Sequence, residues 1–578
     1  MFDLLIKNGT VIDGSGKPGF RADVGVAQGM ITLVGRAENP QSAETIEADR
    51  KVVCPGFIDP HSHADLSIFR HDHDKLLEPL ARQGITTFIG GNCGMALAPL
   101  GDKHRQSVEA YIEVFTKLDF EKDIVWSSMG GFLDTLEKRG MAMNAAILAP
   151  HGVLRINEIG QIMRYATKDE IAGMSKALDQ AIEEGAIGLS TGLQYIPGSQ
   201  SDTSELVELG KVLKKHDAIF TSHLRSYSET TLKQAVDEVI TVSRENGIRG
   251  QVSHIFAIPD AGPFGPALRM LARGLISLSR WWVAPVPIER PIRKPIEQMM
   301  KAREQGVNVG MDIMPSACGF THLLAFFPPW VLEGGRDQII ERIADPQARL
   351  RIRRCIENGK MIWPHIEGDT WSLNLFKLMG WECARIMAVG SEKNKRYEGV
   401  SLMEIARERG VHPIEAACDL LLEEHGHVIV FESLGEPDDR FTERSFYAGL
   451  RHPDVMISTD AILMGMGMPS RLFYGCYPQF LGKYARGKRM LPLETAIRKS
   501  TGLVAEHFRL KGRGRIAEGC HADIVVFDWD RIDSPATFRK PEQFPVGIEH
   551  VFINGRHVVD GNRYNPSPRA GQLIRHKD

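Results

Sequence analysis

The two ends of the chain share one hydropathy pattern and the middle has another. Near the N-terminus short apolar runs alternate with turn residues: Leu4-Leu5-Ile6-Lys7, Thr10-Val11-Ile12-Asp13, Ala22-Asp23-Val24-Gly25-Val26 and Met30-Ile31-Thr32-Leu33-Val34-Gly35. Asn8-Gly9 separates the first two, and Asn-Gly between apolar runs predicts a β-hairpin. The C-terminal end repeats this theme. Asp523-Ile524-Val525-Val526-Phe527-Asp528 reads as a strand, and Asn554-Gly555 joins His550-Val551-Phe552-Ile553 to Arg556-His557-Val558-Val559. Because chain termini commonly lie close together, residues 1–55 and 510–578 are expected to build one small β domain.

The middle, residues 56–509, alternates short apolar runs with amphipathic stretches. Strands are predicted at Phe57-Ile58, Thr86-Thr87-Phe88-Ile89-Gly90, Met143-Asn144-Ala145-Ala146-Ile147-Leu148 and Ala186-Ile187-Gly188-Leu189-Ser190. Others are predicted at Ala218-Ile219-Phe220-Thr221, Gly250-Gln251-Val252-Ser253, Val307-Asn308-Val309-Gly310-Met311-Asp312 and Val455-Met456-Ile457-Ser458-Thr459. Helical periodicity spans 168–184, where Ile171, Met174, Leu178 and Ile182 share a face, and also 204–215 and 228–246. About eight such βα units predict an α/β fold of the (β/α)₈ barrel type with insertions. A doubly wound sheet is the alternative, but no Gly-x-Gly-x-x-Gly follows the first strand. Two stretches break the alternation. Residues 258–295 carry seven prolines around Trp281-Trp282, and 318–335 is apolar and proline-broken. Both are expected to be long loops of the lid or binding kind.

Composition narrows the class. The 578 residues carry a net charge of −3 with no long basic or acidic block, so no nucleic-acid or membrane partner is expected. Eight scattered cysteines form no Cys-x-x-Cys pair, which favours reduced thiols and a cytoplasmic address. The first residues read as a strand and not a signal peptide, and no apolar stretch is long enough to span a bilayer.

Chemistry concentrates at the predicted strand ends, where a barrel of this type carries its site. His61-Ser62-His63 follows the first strand, Gly91-Asn92-Cys93-Gly94 the second, and Tyr195 stands after the fourth. His223-Leu224-Arg225 follows the fifth, His254 the sixth, and Asp460 the last. Each alone has a structural reading: a buried thiol, a hydrogen-bonded core histidine, a helix N-cap. Together, one thiol and four imidazoles at successive strand ends suit zinc. Asp460 is then placed to take a proton from water and pass it to a leaving amine. The reaction class is metal-assisted hydrolysis of an amide-type bond. His71, His73 and His151 lie near strand-end loops and are read as structural.

With these residues in view, the sequence resembles the amidohydrolase superfamily, and within it the D-aminoacylases. The resemblance runs over nearly the whole chain. It is carried by 55–65, Gly91-Asn92-Cys93-Gly94 with Ala98-Pro99-Leu100, 188–193, Pro328-Pro329-Trp330, Ser458-Thr459-Asp460 and 514–525. It implies a distorted barrel with a small β-sandwich from both termini. It also implies zinc held tightly by Cys93, His223 and His254, and a second, weaker site at His61 and His63 with Cys93 as the bridge. Asp460 would be the general acid/base, acting on water activated at zinc, and Tyr195 would hold the substrate. The implied substrate is an N-acyl-D-amino acid, and the partner is this small molecule. The implied address is cytoplasmic, and self-association is left open.

Three positions depart from the family pattern. Phe256 stands where members carry a lysine for the substrate carboxylate, Met314-Pro315-Ser316 replaces Tyr-Pro-Tyr, and Met468-Pro469-Ser470-Arg471 replaces His-Pro-Arg. The acyl-D-amino-acid preference is therefore unsettled, with Arg225 or Arg471 as candidate substitutes for the missing cation. A cyclic or small neutral amide is the alternative substrate. A silent barrel acting as a binding protein is the non-enzymatic alternative.

Overall fold

The computed structural model describes residues 1–38, 40–363, 370–435 and 437–576. Parallel strands form its centre. We number eight of them: β1 (Phe57–Asp59), β2 (Ile85–Gly90), β3 (Asn144–Ile147), β4 (Gly188–Gly192), β5 (Ile219–His223), β6 (Arg249–Val252), β7 (Val309–Ile313) and β8 (Val455–Ile457). All eight coincide with the predicted apolar runs. Each is buried along its whole length, as expected of parallel strands covered on both faces. β1, β2 and β3 pair in that order in one sheet, and β4 to β8 pair in order in a second, which starts from the short Ala149–Pro150. Hydrogen bonds bridge the two sheets on both sides. Ile187 N donates to Ile147 O at 2.9 Å, and Asp460 N donates to His61 O at 2.9 Å, beside a Ser62–Ala461 bridge.

The helices between strands start and stop where local chemistry directs. Thr167 and Glu170 form a reciprocal capping box at the head of Lys168–Glu183. Asp202 accepts from Glu205 N at the head of Thr203–His216. Gly247, at φ 65°, ends Leu232–Asn246 in the left-handed conformation that glycine adopts cheaply.

Strands from both ends of the chain do meet. Phe2–Val11, Phe20–Ala27, Met30–Gly35, Ser42–Glu47 and Val52–Pro55 join Ile524–Phe527, Ile548–Ile553, Arg556–Asp560 and Arg563–Tyr564 in one nine-stranded sheet. The junction is the antiparallel pair of Val52–Pro55 with Ile524–Phe527. This sheet has its own apolar cluster, including Leu4, Ile6, Val24, Ile31, Val526 and Phe552.

The two Asn-Gly pairs behave differently. Asn554-Gly555 makes the expected hairpin, with φ 47° and 74°. Asn8-Gly9 does not: Phe2–Val11 is one continuous strand, and its register slips between Ile6 and Gly9. Asn8 takes φ 59° as a bulge, and its N–H is satisfied by Asp23 Oδ1 at 2.9 Å. A Cβ on Gly9 would lie 2.4 Å from Val53 Cγ2, so this glycine serves close strand packing and not a turn.

Both predicted loop stretches contain regular structure. The proline-rich 258–295 holds the helix Gly265–Leu278, with Pro266 in its first turn where no N–H is missed. The 318–335 stretch opens with Gly319–His322, which pairs with Val428–Glu432 and, through it, with Ala384–Val389 in an antiparallel sheet.

The terminal sheet is locked to the parallel core by a buried polar knot. Asp523 pairs with Arg513 and accepts from Asn554 N at 2.9 Å. It also accepts from Asn144 Nδ2, at the start of β3, at 3.0 and 3.1 Å. Asp523→Ala should destabilise the protein by about 3–5 kcal/mol, because it leaves Arg513 buried and unpaired. A urea unfolding midpoint measures this. A loss under about 1 kcal/mol, the level of an exposed pair, would contradict the assignment.

Candidate metal centre

The C-terminal ends of the parallel strands converge on one buried cluster. Cys93 Sγ lies 3.3 Å from His61 Nε2, 3.5 Å from His223 Nδ1 and 3.8 Å from His254 Nε2. His223 Nδ1 and His254 Nε2 are 3.0 Å apart. Asp460 Oδ1 lies 3.3 Å from His61 Nε2 and 3.4 Å from His63 Nε2. Three overlapping sets each bring their donor atoms within 4.8 Å of one another: His61, His63 and Cys93; Cys93, His223 and His254; and His61, His254 and Asp460. His73 and His151 stand in other hydrogen bonds, with Arg70 O at 3.0 Å and Glu205 at 2.8 Å.

Local backbone chemistry aims these side chains. Cys93, His254 and Asp460 have φ of 54°, 33° and 54°. Non-glycine residues are rare in the left-handed region, cost on the order of 1–3 kcal/mol each there, and cluster at functional sites. Asn92 fixes the cysteine turn by donating to Ile89 O at 2.8 Å. A Cβ on Gly192 would lie 2.1 Å from Cys93 O, so only glycine at the end of β4 lets that turn close over it. Asp59 accepts from Thr459 N at 3.1 Å and His61 N at 3.4 Å, joining the ends of β1 and β8 beneath the cluster.

The imidazoles are oriented from behind. Gln194 Oε1 lies 3.0 Å from His223 Nε2. An amide oxygen only accepts, so the proton sits on Nε2 and the Nδ1 lone pair faces the thiol. Tyr227 OH lies 3.1 Å from His254 Nδ1, takes Leu224 N–H at 3.0 Å, and has Ser253 O at 3.4 Å for its own proton. That arrangement leaves the His254 Nε2 lone pair toward Cys93. Such outer partners are what metal-ligating histidines use to fix tautomer and direction.

The electrostatics fit a cation. Burial works against ionisation of Cys93, but His61 and His223 hold its thiol well below the ordinary cysteine value. Burial also opposes charge on His61 and His63; Cys93 and Asp460 outweigh it, raising His61 well above the usual value and His63 to about 10. For Asp460 burial is again overcome, here by His61 and His63, which keep it well below the usual carboxylate range. A thiolate and a carboxylate thus hold protons on neighbouring imidazoles, and a metal ion takes the place of those protons when it binds. Thiolate with imidazole is a donor set suited to zinc.

A small cavity of about 30 Å³ touches the cluster and is lined by His63, Cys93, Tyr195, His223, His254 and Asp460 on one side. Met314, Phe256 and Glu432 face them, and a much larger apolar cavity of about 740 Å³ continues past His254, Phe256, Met314, Gly319 and Glu432. Tyr195 therefore stands where the sequence placed it. Its hydroxyl accepts from Thr321 Oγ1 at 3.2 Å, and burial raises its pKa, keeping the phenol a donor.

The two arginines are elsewhere. Arg225 is fully buried in a two-point ion pair with Glu238 at 3.0 and 3.2 Å and donates to Ser199 O at 2.9 Å. Arg471 pairs with Asp438 at 2.5 Å and bonds Gln479. Neither lines the two cavities, which corrects the expectation that one of them replaces the missing cation. Phe256 is also explained: its ring stacks on Tyr227, centroids 4.1 Å apart, and so braces the phenol behind His254. Glu432 was not legible in the sequence, because it ends a strand of the antiparallel sheet and no motif surrounds it. Burial pushes its carboxyl up to about 7, and its Oε2 has no hydrogen-bond partner.

Comparison with known proteins places this geometry. The sequence profile of the Amidohydrolase family matches residues 423–559, and that of the urease alpha-subunit N-terminal domain matches 1–56. A D-aminoacylase of Alcaligenes xylosoxydans xylosoxydans is 30% identical over 575 residues, covering 99% of this chain and 97% of its own length. A solved D-aminoacylase described for its binuclear metal centre aligns over 100% of both chains at 27% identity, with a TM-score of 0.74. N-acyl-D-glutamate deacylase from Bordetella bronchiseptica, solved with zinc and a phosphonate mimic of the tetrahedral intermediate, aligns over 99% of both chains at 26% identity, with a TM-score of 0.75. Similarity of this extent, in sequence and in three dimensions, makes the chain a member of the amidohydrolase family, in the group of the D-aminoacylases.

Proposed function

We propose that this protein is a zinc-dependent amidohydrolase that cleaves a linear C–N amide bond. The observation that carries the reading is the buried meeting of Cys93 with His61, His223 and His254 beside Asp460. Cys93, His223 and His254 would hold one ion tightly. His61 and His63 would hold a second, weaker one, with Cys93 shared. The eight parallel strands then act as staves of one (β/α)₈ barrel over 56–509, and 1–55 with 510–578 forms a β-sandwich domain beside it. The hydrogen bonds that bridge the two parallel sheets support that closure.

Zinc held there supplies Lewis acidity, polarising a carbonyl oxygen and acidifying water. The residues of the chain do the rest. Asp460, whose carboxylate lies beside His61 and His63, accepts the proton of the attacking water. It returns that proton to the amide nitrogen as the C–N bond breaks, leaving a carboxylic acid and an amine. Tyr195 donates its phenolic proton toward the substrate oxygen from the cavity wall. Gln194 and Tyr227 keep the two imidazoles turned inward.

The substrate limb beyond the metal is read from Glu432 and Phe256. No lysine or arginine lines the small cavity among the described residues, and its junction with the large one carries Glu432; Arg269, Lys360 and Lys377 line the large cavity away from that junction. An unpaired buried charge costs about 2–5 kcal/mol, so a free carboxylate fits poorly against Glu432 and a neutral amide fits well. This favours an N-acyl compound without the free carboxylate over an N-acyl-D-amino acid.

Three outcomes test these roles. Asp460→Asn should lower kcat at least a thousandfold while zinc content by elemental analysis stays at the wild-type level; retained turnover would refute the proton-shuttle role. Tyr227→Phe should weaken zinc about 10–100-fold in chelator competition, with the melting temperature nearly unchanged. Matched pairs of an N-acetyl amino acid and its carboxamide, in both enantiomers, should show the carboxamide ahead by at least tenfold in kcat/KM. Glu432→Gln should narrow that ratio, and an equal or reversed preference in the wild type would sink the reading of this limb.

A further inference from the structure

A second group of metal-ligating side chains lies on the terminal sheet, away from the Cys93 centre. The hairpin of Ile548–Ile553 with Arg556–Asp560 carries His550, His557 and Asp560. His550 Nδ1 lies 3.2 Å from His557 Nε2 and 3.3 Å from Asp560 Oδ1. One ligand atom from each of the three residues falls within 4.8 Å of the other two.

Strand register explains why they meet. His550 stands opposite Asp560, and residues directly opposite share a face of the sheet. In a regular ladder Val558 would stand opposite Phe552, and His557 would point to the other face. The register instead slips between Val551 and Phe552, so Phe552 stands opposite His557. The extra residue turns His557 to the face of His550 and Asp560. Its ring then stacks on Phe552, with centroids 4.4 Å apart and 26° between the planes, which limits its rotation. The two imidazoles are mostly covered, with 18% and 19% of their side chains exposed, while Asp560 reaches solvent.

A carboxylate from the other end of the chain stands behind the pair. Glu44 Oε1 lies 2.7 Å from His557 Nδ1. Glu44 belongs to Ser42–Glu47, a strand that joins the sheet through Phe2–Val11. An ionised carboxylate only accepts, so His557 Nδ1 carries the proton and its Nε2 lone pair faces His550. This carboxylate–histidine pairing is the one that orients metal-ligating imidazoles. His550 Nδ1 has one proton at most, yet it faces two acceptors, that lone pair and Asp560. With the His550 proton on Nε2, three lone pairs converge, and one cation satisfies all three. Ligand atoms placed tetrahedrally at zinc–nitrogen bond lengths are about 3.3–3.4 Å apart, close to both spacings at His550 Nδ1.

We propose that His550, His557 and Asp560 bind a divalent cation of the zinc class, with water completing the shell on the solvent side. Glu44, through His557, then ties the ion to the N-terminal strand Ser42–Glu47, so the ion clips the two ends of the chain together. The donor set decides the class: imidazole suits zinc, copper and nickel, whereas calcium and magnesium take oxygen ligands. This site is independent of the amide chemistry proposed for the Cys93 centre.

Equilibrium dialysis of the full-length protein against buffered micromolar zinc tests the site. The wild type should hold one equivalent more than His550→Gln, and one more than His557→Gln. Both variants should keep the wild-type melting temperature in chelator. Glu44→Gln should retain the site but weaken it about 10–100-fold. Anomalous scattering at the zinc edge should place an ion against His550 Nδ1 and His557 Nε2. Zinc should also slow amide exchange over 42–47 and 548–560 at least fivefold in the wild type and leave it unchanged in His557→Gln. Equal zinc content in the wild type and both variants would overturn the proposal. So would a site that fills only at millimolar zinc, the mark of an adventitious ion only. Zinc bound at the hairpin without slower exchange would overturn the clip and leave the metal site standing.

Discussion

A thiol and four imidazoles share one buried volume, and most of the surrounding architecture serves to keep them there. Burying ionisable groups is costly unless each finds an opposite charge or a metal. Here Cys93 and Asp460 supply negative charge and the histidines are packed around them. Three of the contributing residues sit in left-handed backbone conformations, and the eight buried parallel strands hold them there. Local strain is tolerated because the sheet beneath over-determines each strand end. The Asp59–Thr459 contact is one visible part of that restraint.

The same centre sets what lies behind and in front of it. Behind, Gln194 and Tyr227 fix the two ring orientations, and Phe256 packs flat on Tyr227. The aromatic side chain at 256 thus braces Tyr227 with one face and lines the small cavity. In front, the inserted antiparallel sheet delivers Glu432, and the proline-rich segment delivers a helical roof. Neither insertion supplies a member of the histidine–cysteine cluster, and residues of both line the cavities in front of it.

Much of the centre could be read before any coordinates, because parallel strands are short, wholly apolar and end in recognisable turns. His61, His63, Cys93, His223, His254 and Asp460 were each identified by position after such a run, and the structure brings all six together. What the sequence hid was non-local. Asn8-Gly9 and Asn554-Gly555 are identical dipeptides. Only tertiary packing against Val53 makes the first a bulge within a strand, while the second closes a hairpin. Arg225 and Arg471 stood near strand-end motifs, yet Glu238 and Asp438, which no sequence motif marks, claim their guanidinium groups. Glu432 has no motif at all, and only the strand pairing of Val428–Glu432 with Gly319–His322 brings it to the cavity. Proline content argued against a helix in 258–295, but Pro266 falls in a first turn, where the usual penalty does not apply.

X-ray absorption at the zinc edge of the loaded protein tests the centre most directly. One sulfur scatterer at about 2.3 Å, with nitrogen or oxygen neighbours at about 2.0–2.1 Å, is the expected shell, and Cys93→Ala should remove the sulfur contribution. Zinc bound in the wild type with only nitrogen and oxygen neighbours would contradict a cysteine-centred site.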